Sequence, residues 1–375
     1  MIVGSSRERK LEEFRTALTP ASAGDLVHAG HTVLIETNAG VGAHYPDAEY
    51  RAVGAQIVPT MEDVYARAEL IVEVKEPQPS EFALMRNGQV IFTYLHLAAE
   101  PEVTRAIIES KCIAIAYETV RLPNGALPLL APMSEVAGRL AVEEGARFLK
   151  RPGPGRGILL GGIPGVPPAH VVVIGSGNVG RNAVRVAVGM GARVTVISNA
   201  IDQLRDLDHL YAGRVETALS SRGVIAALVP SADLVIGAVL VAGERAPVVV
   251  SREMVRTMQP GSVIVDVAVD QGGCIETTHP TNHDEPIYVE EGVVHYAVPN
   301  MPGSVPRTAS TVLSTLVLPY ALAIANLGVD AAIQRDPALA HGVNVYRGAI
   351  THPAVAAALS LPYVPLEDVI AAPRS

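Results

Sequence analysis

Residues 170–180 read HVVVIGSGNVG, and this stretch constrains the fold more than any other. The strand pattern HVVVI ends at Gly175. The spacing Gly175, Gly177, Gly180 then opens a helical pattern over 178–190. A strand that turns into a helix across three glycines so spaced is a dinucleotide fingerprint. Gly175 permits the tight turn, Gly177 lets the backbone approach a pyrophosphate, and Gly180 lets helix and strand pack closely. The first helical N–H groups, at Asn178 and Val179, then face the phosphates. A glycine-rich turn without a ligand is the bland alternative, and the strand-before, helix-after context argues against it.

The fingerprint is incomplete. A carboxylate about 20 residues on should hold the adenosine ribose. Ser198 stands there instead, with Asp202, Gln203, Arg205 and Asp206 just beyond. Losing that charge removes repulsion against a 2′-phosphate, and Arg205 is a candidate partner for one, so NAD and NADP both stay open.

Around this motif the chain alternates strand and helix. Strands are expected at 1–4, 31–36, 56–59, 70–74, 90–95 and 112–118, with helices at 20–29, 60–68 and 100–111. Short apolar runs bounded by Gly, Pro or polar residues suit a parallel sheet covered on both faces. Residues 151–168, RPGPGRGILLGGIPGVPP, would be a linker by Gly and Pro content. Their apolar members Ile158, Leu159, Leu160, Ile163 and Val166 argue for partial packing. A second α/β unit follows, with strands at 170–175, 193–198, 233–240, 262–269 and 293–298. The tail reads helical at 308–328 and 353–359 and has no sheet of its own. It is expected to pack back on the first unit. The division is therefore 1–133 with 305–375, and 134–304.

Composition narrows the function classes. The chain has 375 residues, 49% hydrophobic and 18% charged, with a net charge of −9. That excludes disorder and offers no basic footprint for nucleic acid. Two distant cysteines exclude a disulfide scaffold and a Cys-rich zinc site. The apolar stretches at 224–243 and 312–329 are interrupted by polar residues or Pro and read as core rather than membrane spans. The N-terminus lacks a signal-peptide pattern, so a soluble, cytoplasmic protein is expected. His279 and His283 are four apart, but Pro280 and Asn282 favour a loop over a zinc-binding helix. No metal is expected.

Ten segments, in order and nearly end to end, carry a resemblance. They are FRTALTP (14–20), VKEPQP (74–79), FTYLHLA (92–98), AYETV (116–120), PLLAPMSEVAGRLA (128–141), GGIPGVPPAHVVVIGSGNVG (161–180), DLVIGAVLV (233–241), VDVAVDQGGCIET (265–277), NMPGSVPRTAS (300–310) and THPAVAAALSLPYVPL (351–366). On these the chain resembles the alanine dehydrogenase and pyridine nucleotide transhydrogenase family. The resemblance implies two Rossmann-like, doubly wound α/β domains with a cleft between them, the N-terminal one discontinuous. It assigns substrate to 1–133 with 305–375 and NAD(P) to 134–304. It also implies oxidative deamination of an L-amino acid with a nicotinamide cofactor, and a hexamer.

Site residues follow from the same resemblance, beside their own chemistry. Arg15 would clamp the substrate carboxylate, since guanidinium meets carboxylate with a two-pronged fork. Lys75, at the end of LIVEV, would bind the carboxylate or carbonyl at a strand's C-terminal edge. His96, at the end of the next strand, would be the general acid/base. Asp270, at the end of strand 262–269, would stabilise the cationic iminium and orient water. Cofactor contacts would come from Ser134 beside Met133, from Gly175, Gly177, Asn178, Val179 and Gly180, and from Ser198, Gln203, Ser220, Val239 and Leu240. Val298, Asn300 and Met301 would shape the nicotinamide pocket. Departures from the family pattern lie in the opening GSSRERK, at Ser198, at Pro299 and in 221–230. The leading expectation is L-alanine oxidised to pyruvate and ammonium. A reductase that uses NADPH on an imine, a transhydrogenase-like nucleotide subunit and a catalytically silent homologue are the alternatives. The last two leave Arg15, Lys75, His96 and Asp270 without purpose.

Overall fold

The computed structural model describes residues 1–239 and 246–371. The chain forms two compact units, Met1–Met133 with Val305–Ser375, and Ser134–Ser304. In the first, β1 (Ile2–Ser5), β2 (Thr32–Glu36), β3 (Gln56–Val58), β4 (Leu70–Val72), β5 (Val90–Thr93) and β6 (Ile113–Ala116) are all parallel, in the order β3-β2-β1-β4-β5-β6. The winding reverses between β1 and β4, and open α/β sheets bind their ligands in the crevice at such a point.

The second unit repeats the plan. It contains β7 (His170–Ile174), β8 (Arg193–Ser198), β9 (Val215–Leu219), β10 (Leu234–Gly237), β11 (Val263–Asp266), β12 (Ile287–Glu290) and β13 (Val293–Tyr296). Their order is β9-β8-β7-β10-β11-β13-β12, parallel except for β12 on the edge. Its reversal falls between β7 and β10.

Local chemistry starts many of the helices. Thr19 accepts from the Ser22 N–H and Thr60 from the Asp63 N–H, capping the helices Pro20–His28 and Met61–Arg67. Pro20, Pro101, Pro306 and Pro353 each occupy a first helical turn, where a missing N–H costs nothing. Strand residues of the first unit split by parity between two cores. Val3, Val33, Leu70, Val72, Phe92 and Ile113 face one; Leu34, Ile71, Ile91 and Ala114 face the other. Period-two burial on both faces explains why these strands read as continuous apolar runs.

The tail differs from the expectation. It packs on the first unit, but it also supplies β14 (Val343–Tyr346) and β15 (Ala349–Ile350), which extend the first sheet antiparallel beyond β6. The run VNVY is too short to stand out by periodicity; pairing with β6 is what makes it a strand. The helix Pro306–Leu327 is long and apolar enough to cross a membrane by length and composition. Its Ala309, Leu313, Val317, Ala321 and Ile324 instead line the first unit's core. The segment 151–168 also departs from expectation. Only Leu160 of its named apolar residues is buried, while Leu159, Ile163 and Val166 are more than half exposed. A bridge between Ile163 and Val166 orders it, rather than burial.

Candidate functional sites in the two units

Both strands expected to deliver first-unit site residues are shorter than read. β4 stops at Val72 and β5 at Thr93, so Lys75 and His96 each stand three residues beyond a strand end. There the backbone has left the ladder and needs other partners. Glu8 supplies them at Lys75, accepting from the N–H groups of Val74 (2.7 Å) and Lys75 (3.1 Å). Glu118 supplies them at His96, accepting from the N–H groups of Leu95 (3.2 Å) and His96 (2.6 Å). His96 sits at φ 49°, a left-handed conformation that costs a non-glycine residue energy and is held here by that carboxylate. Its Nδ1 lies 3.8 Å from Glu118 Oε1, and its ring stacks parallel to Tyr94 at 6.0 Å.

Arg15 lies in the loop between β1 and the helix Pro20–His28, 2% exposed. Glu13 binds one edge of its guanidinium as a fork, at 2.7 Å from Nε and 2.5 Å from Nη2. The Nη1 end meets Met133 Sδ at 3.2 Å. Burial works against the guanidinium's charge, and Glu13 outweighs it, so its pKa is raised. Lys75 shares this environment. Burial, then the charge of Arg15, holds its ammonium below the ordinary lysine value. The structure therefore brings two cations together at the β1/β4 reversal, one fixed by a carboxylate fork and the other poised to lose its proton more readily.

In the second unit Gly175 sits at φ 111°, and a Cβ there would lie 2.3 Å from the Ala238 carbonyl oxygen. A Cβ on Gly180 would lie 1.9 Å from the Gly175 carbonyl oxygen. At Gly177, which caps the helix Asn178–Gly189, a Cβ would meet nothing within 4 Å. Closed contacts at the first and third glycines, with an open cradle at the second, fit a pyrophosphate over the helix start.

Ser198 ends β8, buried in a neutral network. The Ser176 hydroxyl lies 2.6 Å from Ser198 Oγ and 2.7 Å from Gln203 Oε1, while Ser198 Oγ accepts from the Ala200 N–H at 3.1 Å. Ser220 N–H donates to the Ser198 carbonyl at 2.8 Å. Arg205 is engaged by Asp202 at 2.8 Å and Arg181 by Asp206 at 2.9 Å. Of the remaining expected contacts, Ser134 lies beside Met133 in the helix Ala131–Phe148, and Val239 is partly buried beyond β10. Leu240 lies outside the described residues. Val298 and Met301 are buried.

Asp270 does not end a strand. β11 stops at Asp266, and Asp270 lies in the 3-10 turn Val267–Gln271. Asp266 builds that turn: its carboxylate accepts from the N–H groups of Ala268, Cys274 and Ile275 and from the Thr278 hydroxyl. Asp270 itself receives the Asn300 N–H at 3.3 Å, with Asn300 at φ 56°. The segment 279–286 carries no helix, and the His279 ring stacks on Tyr288 at 3.6 Å.

Sequence reasoning missed four carboxylates that hold the site: Glu8, Glu13, Glu118 and Asp266. Glu13 had a local signal, two residues before Arg15. The others reach partners 8 to 67 positions away.

Two family models match, "Alanine dehydrogenase/PNT, N-terminal domain" over residues 4–137 and "Alanine dehydrogenase/PNT, C-terminal domain" over 141–353. An alanine dehydrogenase of Methanococcus maripaludis is 50% identical over 371 residues, covering 99% of this chain and all of the relative. One from Geobacillus stearothermophilus is 50% identical over 372 residues with the same coverage. A solved L-alanine dehydrogenase structure superposes with a TM-score of 0.93 at 52% identity, covering 96% of this chain and 99% of its own. With both halves matched and relatives of this identity along the whole length, the chain belongs to the alanine dehydrogenase/PNT family.

Proposed function

We propose that this protein catalyses the reversible oxidative deamination of L-alanine, in which L-alanine, water and an oxidised nicotinamide cofactor give pyruvate, ammonium, the reduced cofactor and a proton. The observation that carries this is the buried Arg15 with the half-buried Lys75 at the β1/β4 reversal, in a chain half identical to alanine dehydrogenases over its length.

The first unit takes the amino acid. Arg15, its one edge fixed by Glu13, forms charge-assisted bonds to the carboxylate. Lys75 pairs with the same carboxylate and polarises the carbonyl of the keto acid in reverse. His96 takes the proton as water adds to the imine and returns it to nitrogen as the carbinolamine collapses to pyruvate and ammonium. Asp270 stabilises the positive iminium. A nicotinamide would supply, when bound, an acceptor for the hydride of the substrate's C2. Gly175, Gly177 and Gly180, with the N–H groups of Asn178 and Val179, would hold its pyrophosphate. Ser134, Ser198, Gln203, Ser220 and Val239 would contact the nucleotide, as the resemblance also implies for Leu240, and Val298, Asn300 and Met301 would contact its nicotinamide end.

NAD is the cofactor in this reading, with weak discrimination against NADP. The neutral Ser176–Ser198–Gln203 network has no carboxylate to repel a 2′-phosphate, and Arg205 is already engaged by Asp202. We also propose a cytoplasmic homo-hexamer, a reading supported by the family resemblance alone. Initial rates of L-alanine oxidation with NAD and with NADP test the reaction and the cofactor choice. Turnover with NAD, and NADP within about tenfold of it, is expected. Absence of alanine turnover with either cofactor overturns the proposal and favours an NADPH-dependent imine reductase.

A further inference from the structure

The opening segment after β1, one of the places where the sequence departs from its family, is given no role by the chemistry above. The structure shows it pinned residue by residue across the β1/β4 reversal. The Ser6 hydroxyl donates to Glu73, Glu8 accepts from the Val74 and Lys75 N–H groups, and the Lys10 ammonium pairs with Glu76. Arg7 N–H and the Arg9 guanidinium both reach Glu36 at the end of β2, anchoring the segment from its other side. Besides Lys75 itself, it grips Glu73, Val74 and Glu76, which bracket that residue.

We infer that Glu8 is a positioning residue for Lys75. β4 has ended at Val72, so no neighbouring strand fixes the Lys75 N–H. The two Glu8 oxygens take consecutive N–H groups at 2.7 and 3.1 Å, which sets both the position and the orientation of the backbone that carries the ammonium. From the other side the Thr93 hydroxyl donates to the Lys75 carbonyl at 2.8 Å. The Lys75 main chain is thereby held at both polar groups by side chains rather than by the sheet. Its ammonium makes no hydrogen bond among the described residues, so its place beside Arg15 depends on its backbone. A carboxylate suits this duty because each oxygen can accept, whereas an amide turns a donor toward one of the two N–H groups. A loop shift of an ångström at a charge meant for a substrate carboxylate is expensive to turnover.

This inference rests on the assignment of Lys75 to the substrate carboxylate, and the experiment separates the two. The chain has four lysines, Lys10, Lys75, Lys111 and Lys150. Reductive methylation with 13C-formaldehyde therefore gives few signals, and Lys75→Arg identifies the one from Lys75. Glu8→Gln and Glu8→Asp are compared with the parent for the alanine KM, kcat, NADH affinity and the Lys75 titration. Glu8→Gln is expected to raise the alanine KM by about 10- to 100-fold with NADH affinity within twofold. Its Lys75 signal should move toward an ordinary lysine titration, and Glu8→Asp should recover part of both effects. An alanine KM within twofold of the parent, or a lower kcat alone with lost melting temperature, overturns the inference and leaves Glu8 a structural residue. If Glu8→Gln does not fold, Glu8→Asp is judged by the same criteria. A parent without alanine turnover sinks the proposed function, while the Lys75 titration still decides whether Glu8 positions that residue.

Discussion

The two units share one winding order, and each fills the crevice at its own reversal with different chemistry. At the β1/β4 reversal of the first unit stand Arg15, Lys75 and the partly or fully buried carboxyl groups of Glu8, Glu13, Glu73, Glu76 and Glu81. At the β7/β10 reversal of the second stand glycines and a hydroxyl–amide network. Among the described residues the one buried carboxylate of that unit is Asp266, which is spent on a turn. A charged crevice suits a small zwitterion that must be gripped by its carboxylate. A crevice of glycine backbone and helix N–H groups suits a pyrophosphate, whose charge the backbone itself can meet. The winding order supplies a place to bind, and the side chains grafted there decide what binds.

The comparison breaks most visibly when each crevice is disarmed in turn. Lys75→Ala is expected to lower kcat/KM for alanine about 10³-fold while leaving NADH affinity within twofold. Steady-state kinetics and a fluorescence titration with NADH check it, and an equal loss in both would blur the division of labour. Gly180→Val is the mirror case. Its side chain starts 1.9 Å from the Gly175 carbonyl oxygen, so NADH affinity should fall about 100-fold or more, close to 3 kcal/mol. Pyruvate protection of Lys75 from acylation should persist in that variant.

Ser198→Asp sharpens the second crevice. A carboxylate among Ser176 and Gln203 repels a 2′-phosphate, so the NADP KM should rise about tenfold relative to NAD. An unchanged NAD-to-NADP ratio would move cofactor choice away from this position.

The smallest effect reports the charge stored in the first crevice. Burial pushes the Glu73 carboxyl up to about 7 and the Glu81 carboxyl up to about 8, with Glu73 adding to the latter. Both reach the Tyr65 hydroxyl, at 3.1 and 3.4 Å. A carboxyl with a raised folded pKa stabilises the fold fully below its unfolded value and loses that stabilisation as pH rises through the folded value. The melting temperature should therefore fall between pH 5 and pH 9. Glu73→Gln should flatten that slope, gaining about 2–8 °C over the parent at pH 9. A parent melting temperature that rises over this range would contradict it.

Much of the fold was legible because its signals are local. Pro at helix starts, Thr caps and the Gly175–Gly180 spacing each act within four or five residues, and parity of burial marks the strands. Arg15, Lys75 and His96 could be singled out by residue type and place in the chain. The ends of β4, β5, β6, β10, β11 and β13 were read two or three residues too long, since apolar patterning continues past the last ladder bond. That error hid the main feature of the first site: Lys75 and His96 lie on backbone that no strand holds.

What the sequence by itself determined is the alternation of strands and helices, the glycine turn and the stock of charged side chains. Only the tertiary structure decided that VNVY becomes a strand on β6, that Ser198 is sealed in a network with Ser176 and Gln203, and that Glu8 and Glu118 clamp the two loops. Each of those depends on partners brought together from 22 to well over 200 positions apart. A hydrogen bond across such a separation leaves no periodicity in the chain. It exists only once the sheet has closed the distance.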